Sequence, residues 1–154
     1  MATKVIIGRV EEVLFPHLGI GHVHARIDTG AQTTAIWASR VGLEQGRLAV
    51  VFLGPEHRSY TGETVYFDHF EETIVASSNG HTELRYKVRT TIHIAGRKIR
   101  ARLTLADRSS QVYPVLVGRN VLRGKFIVDV SEGTPLKDEE KQRSVKLQST
   151  RKGR

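Results

Sequence analysis

Apolar and polar positions alternate along most of this chain, and the period is two. From His22 to Ile27, Val23, Ala25 and Ile27 face one way while His22, His24 and Arg26 face the other, the pattern of a half-buried strand. The run from Glu83 to Ile94 repeats it, with Leu84, Tyr86, Val88, Ile92 and Ile94 on one face and Arg85, Lys87 and Arg89 on the other. After a turn at Ala95-Gly96, Ile99, Ala101, Leu103 and Leu105 point inward against Lys98, Arg100 and Arg102, so two adjacent arms each carry a basic face. Shorter apolar runs at 5–7, 10–15, 48–53, 65–67, 73–76, 113–117 and 126–130 read as further strands. The first two form a strand or hairpin arm with Gly8 as a bulge, and 35–41 fits either a helical turn or a strand.

Turn residues punctuate these runs. Residues 16–21 are rich in breakers, and Ser77-Ser78-Asn79-Gly80 is the strongest hairpin signal, since Asn-Gly suits a tight turn with positive φ. Gly124 limits any helix starting at Gly118 to about one turn. Many short strands at close spacing predict an all-β barrel or sandwich with little helix. After Pro135 the apolar anchors nearly vanish. The reading is one β domain over 1–136 followed by a basic flexible tail over 137–154.

Charge refines this picture. The chain has 154 residues and a net charge of +8. Seven Lys/Arg against three Asp/Glu put +4 of it in the tail. Such a balance favours acidic partners, whether peptide, nucleic acid or anionic surface. The tail has no aromatic residue for base stacking, so contact with RNA there would be nonspecific. Cysteine is absent, which excludes disulfides, thiol catalysis and cysteine zinc sites. Neither a signal-peptide core nor a membrane-length apolar run is present, and a soluble, cytoplasmic protein without membrane contact is expected.

The chemistry concentrates at Arg26-Ile27-Asp28-Thr29-Gly30-Ala31-Gln32, where a strand ends in a carboxylate, a hydroxyl and a glycine. His17, His22 and His24 are the candidate zinc ligands, but no His-Glu-x-x-His pattern occurs and no metal is assigned. No phosphate-binding Gly-x-x-x-x-Gly-Lys-Ser/Thr loop exists either, and no cofactor is expected.

At two places the chain resembles the retropepsin-like aspartic proteases: Ile27-Asp28-Thr29-Gly30-Ala31, and Val115-Leu116-Val117-Gly118-Arg119-Asn120-Val121-Leu122. Further segments, including Val75-Ala76-Ser77-Ser78-Asn79-Gly80 and Leu103-Thr104-Leu105-Ala106-Asp107-Arg108, look like a bacterial and archaeal group often labelled ATP-dependent zinc proteases, some of which accompany ATP-grasp glutamate ligases. The resemblance implies a closed-barrel-like acid protease fold with one Asp-Thr-Gly half-site per chain. It implies that Asp28 is catalytic, that Thr29 bonds across a two-fold axis, and that Gly30 brings backbone N–H groups to the carboxylate. A homodimer would supply the second Asp28, with Val121, Leu122 and the 126–130 strand as contacts. Ser78, Asn79 and Gly80 would form a flap over substrate, and Ala31, Gln32, Arg85 and Arg119 would face the peptide. Many relatives have an acidic residue where this chain has Gln32. Arg119, with Arg26, Arg85 or Lys87, is therefore expected to face an acidic, glutamate-rich peptide. The alternatives are a non-catalytic peptide- or RNA-binding domain of the same fold and a zinc-dependent hydrolase.

Overall fold

The computed structural model describes residues 3–76 and 79–152. Strands β1 (Val5–Ile7), β2 (Val10–Leu14), β3 (Val23–Ile27), β4 (Thr34–Glu44), β5 (Arg47–Phe52) and β6 (Thr64–Phe67) are followed by β7 (Glu71–Ala76), β8 (Thr82–Ile94), β9 (Arg97–Ala106) and β10 (Val115–Val117). A one-turn helix α1 (Arg119–Leu122), strand β11 (Phe126–Val128) and helix α2 (Lys137–Lys152) complete the order.

Six strands close into a barrel in the order β10-β3-β2-β8-β9-β4, and β10 pairs back to β4. Closure depends on β10. It lies parallel to β3, with Val115 beside Ala25 and Val117 beside Ile27, and antiparallel to β4, with Val115 beside Ile36. A closed ring leaves no edge within it. The alternation read from the sequence gives its interior: Val23, Ala25, Ile27, Val88, Ile92, Ile94, Ile99, Ala101, Leu103 and Leu105 are all buried. Leu84 is 50 % exposed, because the first half of β8 leaves the barrel and pairs only with β7. Strand β4 likewise outruns the ring, and its far half carries β5 and β6.

The structure settles or changes four expectations. The segment 35–41 is strand, part of β4. β1 and β2 are not one arm, since β1 pairs with β11 in a separate two-stranded ribbon. Gly8 between them sits under the returning chain, where a Cβ would lie 2.0 Å from the Glu132 carbonyl oxygen. Val121 and Leu122, expected at a dimer contact, are buried in the chain's own core, because α1 plugs the barrel wall beside β4 and β9.

The fourth correction is the tail. Residues Lys137–Lys152 form a helix, where no regular structure was expected. Asp138, Glu139 and Glu140 in the first turn complement the positive end of the helix dipole. There is no apolar stripe to signal docking. Val145 and Leu147 are 54 % and 50 % exposed. Among the described residues no helix is long and apolar enough to cross a membrane.

Candidate active site

Asp28 owes its position to two neighbours of β3. Its N–H donates to the Val117 carbonyl at 2.9 Å, and the Ile27 N–H donates to the Arg9 carbonyl at 2.9 Å, so the strand is held up to its last residue. The chain then turns, with the Ala31 N–H on the Asp28 carbonyl at 3.2 Å. The Gly30 N–H donates to Asp28 Oδ1 at 2.9 Å and fixes the carboxylate's rotamer. Asp28 is half-buried; Thr29 and Gly30 are exposed.

The second motif is stitched onto this loop. The Arg119 and Asn120 N–H groups donate to the Ala31 and Gln32 carbonyls at 2.8 and 3.1 Å. Thr34, fully buried, donates its hydroxyl to Asn120 Oδ1 at 2.7 Å and accepts the Gly118 N–H at 3.1 Å. Asn120 Nδ2 donates to the Arg102 carbonyl at 3.0 Å. Gly118 permits this closeness, since a Cβ there would lie 2.3 Å from the Thr33 carbonyl oxygen. Arg119 Nη1 donates to the Thr29 and Gly30 carbonyls at 3.2 and 2.9 Å. The guanidinium thus braces the loop from below.

The sequence-predicted residues fall in two places. Asp28, Thr29, Gly30, Ala31, Gln32 and Arg119 converge on the loop just described. Asn79 and Gly80 lie at the end of the β7–β8 hairpin, where Gly80 has φ +84°. Ser77 and Ser78 lie outside the described residues. The last pair of the hairpin is Ala76 with Thr82, so the connection is longer than a two-residue turn. Arg85 is on the same hairpin, and its Nη2 donates to Glu83 Oε2 at 3.4 Å. Among the described residues no three His, Cys, Asp or Glu side chains cluster to hold a metal, so His17, His22 and His24 do not make a ligand set.

Beside the loop lies a basic concavity of about 390 Å³ that sequence reading had not assembled. Arg9, Arg26, Arg108 and Arg143 line it, with Ile27, Tyr113 and Glu140. Glu140 projects from α2. Arg9 Nη1 donates to both its oxygens, at 3.0 and 3.2 Å, and the Tyr113 hydroxyl donates to Oε1 at 2.5 Å. Desolvation raises the Glu140 carboxyl, but the Tyr113 and Arg9 hydrogen bonds, with the charges of Arg9 and Arg26, outweigh it and hold the pKa below its ordinary value. The Glu140 hydrogen bond raises Arg9 in turn. Burial, then the bond to Glu140, pushes Tyr113 up to about 12. Burial and the like charge of Arg26 lower Arg108, while the Asp28 charge opposes them, which places Arg108 within electrostatic reach of Asp28. The only local sign of this pocket was a lone Arg9 between Gly8 and Val10 and a cation at Arg108 just past a strand end.

A closed β-barrel that presents Asp-Thr-Gly against a Gly-Arg-Asn turn defines the retropepsin-like class. Residues 6–139 match the RimB-like family, described as "Retropepsin-like aspartic endopeptidase RimB", and the chain belongs to that family. It is 35 % identical over 136 residues to a probable alpha-L-glutamate ligase of Shewanella pealeana, covering 84 % of this chain and 29 % of the relative. A protein of the same name from Desulfotalea psychrophila is 28 % identical over 163 residues, covering 97 % of this chain and 34 % of the relative. The chain therefore spans about a third of the length of these curated relatives. A solved structure from Legionella pneumophila, of unknown function, shares the fold with a TM-score of 0.59 at 21 % identity, covering 85 % of this chain and 97 % of that one.

Proposed function

We propose that this protein is an aspartic endopeptidase that works as a homodimer, with water activated between two Asp28 carboxylates. The observation that carries this reading is the fixed, half-buried Asp28 carboxylate at a loop built from both motifs. One carboxylate alone lacks the second proton-transfer group that peptide hydrolysis needs. An isologous two-fold contact supplies it from an identical chain. Like charges a few ångströms apart share one proton. The ionised partner takes a proton from water while the neutral one donates to the carbonyl oxygen.

The surface beside the loop suits that contact. The β1–β11 ribbon exposes Ile6 at 63 % and Ile127 at 53 %, and Val130 just beyond it at 75 %. Phe126 and Val128 of β11 share a concavity with Thr29. A two-stranded ribbon is marginal alone, and pairing with its copy would extend it and cover these side chains. The β7–β8 hairpin, with Asn79 and Gly80 at its end, would close over bound peptide.

The favoured substrate is an acidic, glutamate-rich peptide. The net charge and the arginines beside Asp28 support it, as do the ligase names of the relatives, which concern glutamate. Those names also support a second reading, in which the domain holds an acidic chain without cutting it. Asp28→Asn separates the two. The peptidase reading expects cleavage of poly-glutamate or casein to vanish, with circular dichroism and sedimentation unchanged. Wild type that cuts neither between pH 3 and pH 8 would leave the holding domain.

A further inference from the structure

The basic concavity beside Asp28 already holds a carboxylate, and it is the protein's own. Glu140 sits between Arg9 and Tyr113, with Arg26 acting on it through charge. Arg9, Arg26 and Arg108 line the concavity from the barrel against this single acid, and Arg143 comes with the acid on α2, so three cations stay when the helix leaves. The acid arrives on a helix held lightly. Beyond Glu140, α2 meets the pocket through Arg143, Ser144 and a half-exposed Leu147, and the Leu136 N–H just before the helix donates to the Tyr113 hydroxyl at 2.9 Å. The Arg9–Glu140 pair is itself 39 % and 31 % exposed, in the range where ion pairs are weak.

We propose that this concavity is a binding subsite for an acidic side chain of a peptide, and that Glu140 is its resident intramolecular occupant, so that α2 is a strap which an incoming acidic chain displaces. The inference rests on the peptide-binding reading of the Asp28 site and adds an intramolecular competitor to it. Three features support it together. The Arg9 guanidinium and the Tyr113 hydroxyl donate to one carboxylate, and Arg26 acts on it through charge, an arrangement that recognises a carboxylate. The pocket begins at Ile27, one residue before Asp28. The segment carrying the occupant has almost no apolar anchorage, so it leaves without opening a core. A side chain occupying a site in the free protein lowers the apparent affinity for any competitor by the fraction of molecules that are open.

The test uses the full chain with Asp28→Asn, so that peptide survives, and fluorescein-labelled penta-glutamate read by anisotropy. Glu140→Gln should tighten binding about tenfold by removing the resident charge. Glu139→Gln makes the same change in net charge at an exposed neighbour and should shift binding by less than about twofold. Adding Arg26→Ala to Glu140→Gln should reverse the gain. Hydrogen exchange over 137–147 should rise when penta-glutamate binds wild-type Glu140. Equal effects of Glu139→Gln and Glu140→Gln would overturn the proposal, as would peptide binding with α2 still protected. The two readings fail separately: the binding pattern can hold while protein with intact Asp28 cuts nothing, which sinks the peptidase reading alone, and cleavage at one rate in wild type and Glu140→Gln sinks the strap alone.

Discussion

Two sets of arginines flank Asp28, and they are used in opposite ways. Arg119 points its guanidinium at the Thr29 and Gly30 carbonyls, and its donors serve the backbone of the loop. Arg9, Arg26 and Arg108 line a concavity whose one acid comes from a distant helix. The first cation is part of the scaffold, and Arg108 shares that use through its Nε, which donates to the Tyr113 carbonyl at 3.1 Å, while Arg9 and Arg26 direct their charge into the concavity. The absence of an acidic residue at Gln32 does not free Arg119, because carbonyl oxygens take the place of a carboxylate partner. Recognition of an acidic chain is better placed on the second set.

This contrast can be broken at several points. The largest effect is expected from Gly118→Ala, which drives a methyl group into the Thr33 backbone and should cost about 3 kcal/mol or more in urea unfolding. A small change in midpoint would mean that the two motifs are not pressed together. Arg119→Ala should cost about 1–2 kcal/mol and lower cleavage of acidic and neutral peptides alike. A loss confined to acidic peptides would move Arg119 into the recognition set. Arg26→Ala should leave stability within about 0.5 kcal/mol and reduce the acidic-to-neutral ratio of kcat/KM about tenfold. An unchanged ratio would remove Arg26 from substrate contact.

The smallest effect concerns pH. The docked Glu140 carboxyl lies below its ordinary value of 4.5, so its contribution is complete above that value and is lost as pH falls through the lowered one. Protection of amides 137–147 relative to their intrinsic exchange rates should therefore fall below pH 4.5 while the barrel strands stay protected. Simultaneous release of both would show that α2 and the barrel are one cooperative unit.

Much of this arrangement was legible in the chain. Period-two alternation identified the barrel interior on β3, β8 and β9, because a strand with one wet face must alternate. Asp28 stood out because it places chemistry at the end of an apolar run, and Gly118-Arg119-Asn120 because it resembles the second motif of the retropepsin-like proteases. What escaped notice depends on long-range partners. β1 and β2 look like one arm locally, and only the arrival of β11 separates them. α2 carries no stripe because a single carboxylate, rather than an apolar face, seats it. Arg9 and Glu140 are 131 positions apart, and no local pattern pairs them.

The bonds that complete the Asp28 loop have a further consequence for how the chain comes into being. Arg119 reaches Thr29 across 90 positions, and β10 must slot between β3 and β4 before the Asp28 N–H finds its acceptor. Contacts so far apart in the chain form late, after the local hairpins. A nascent chain that has emerged only as far as β9 already contains its Asp-Thr-Gly yet has no assembled half-site. The loop that carries Asp28 is therefore completed only once β10 and Arg119 have joined the barrel.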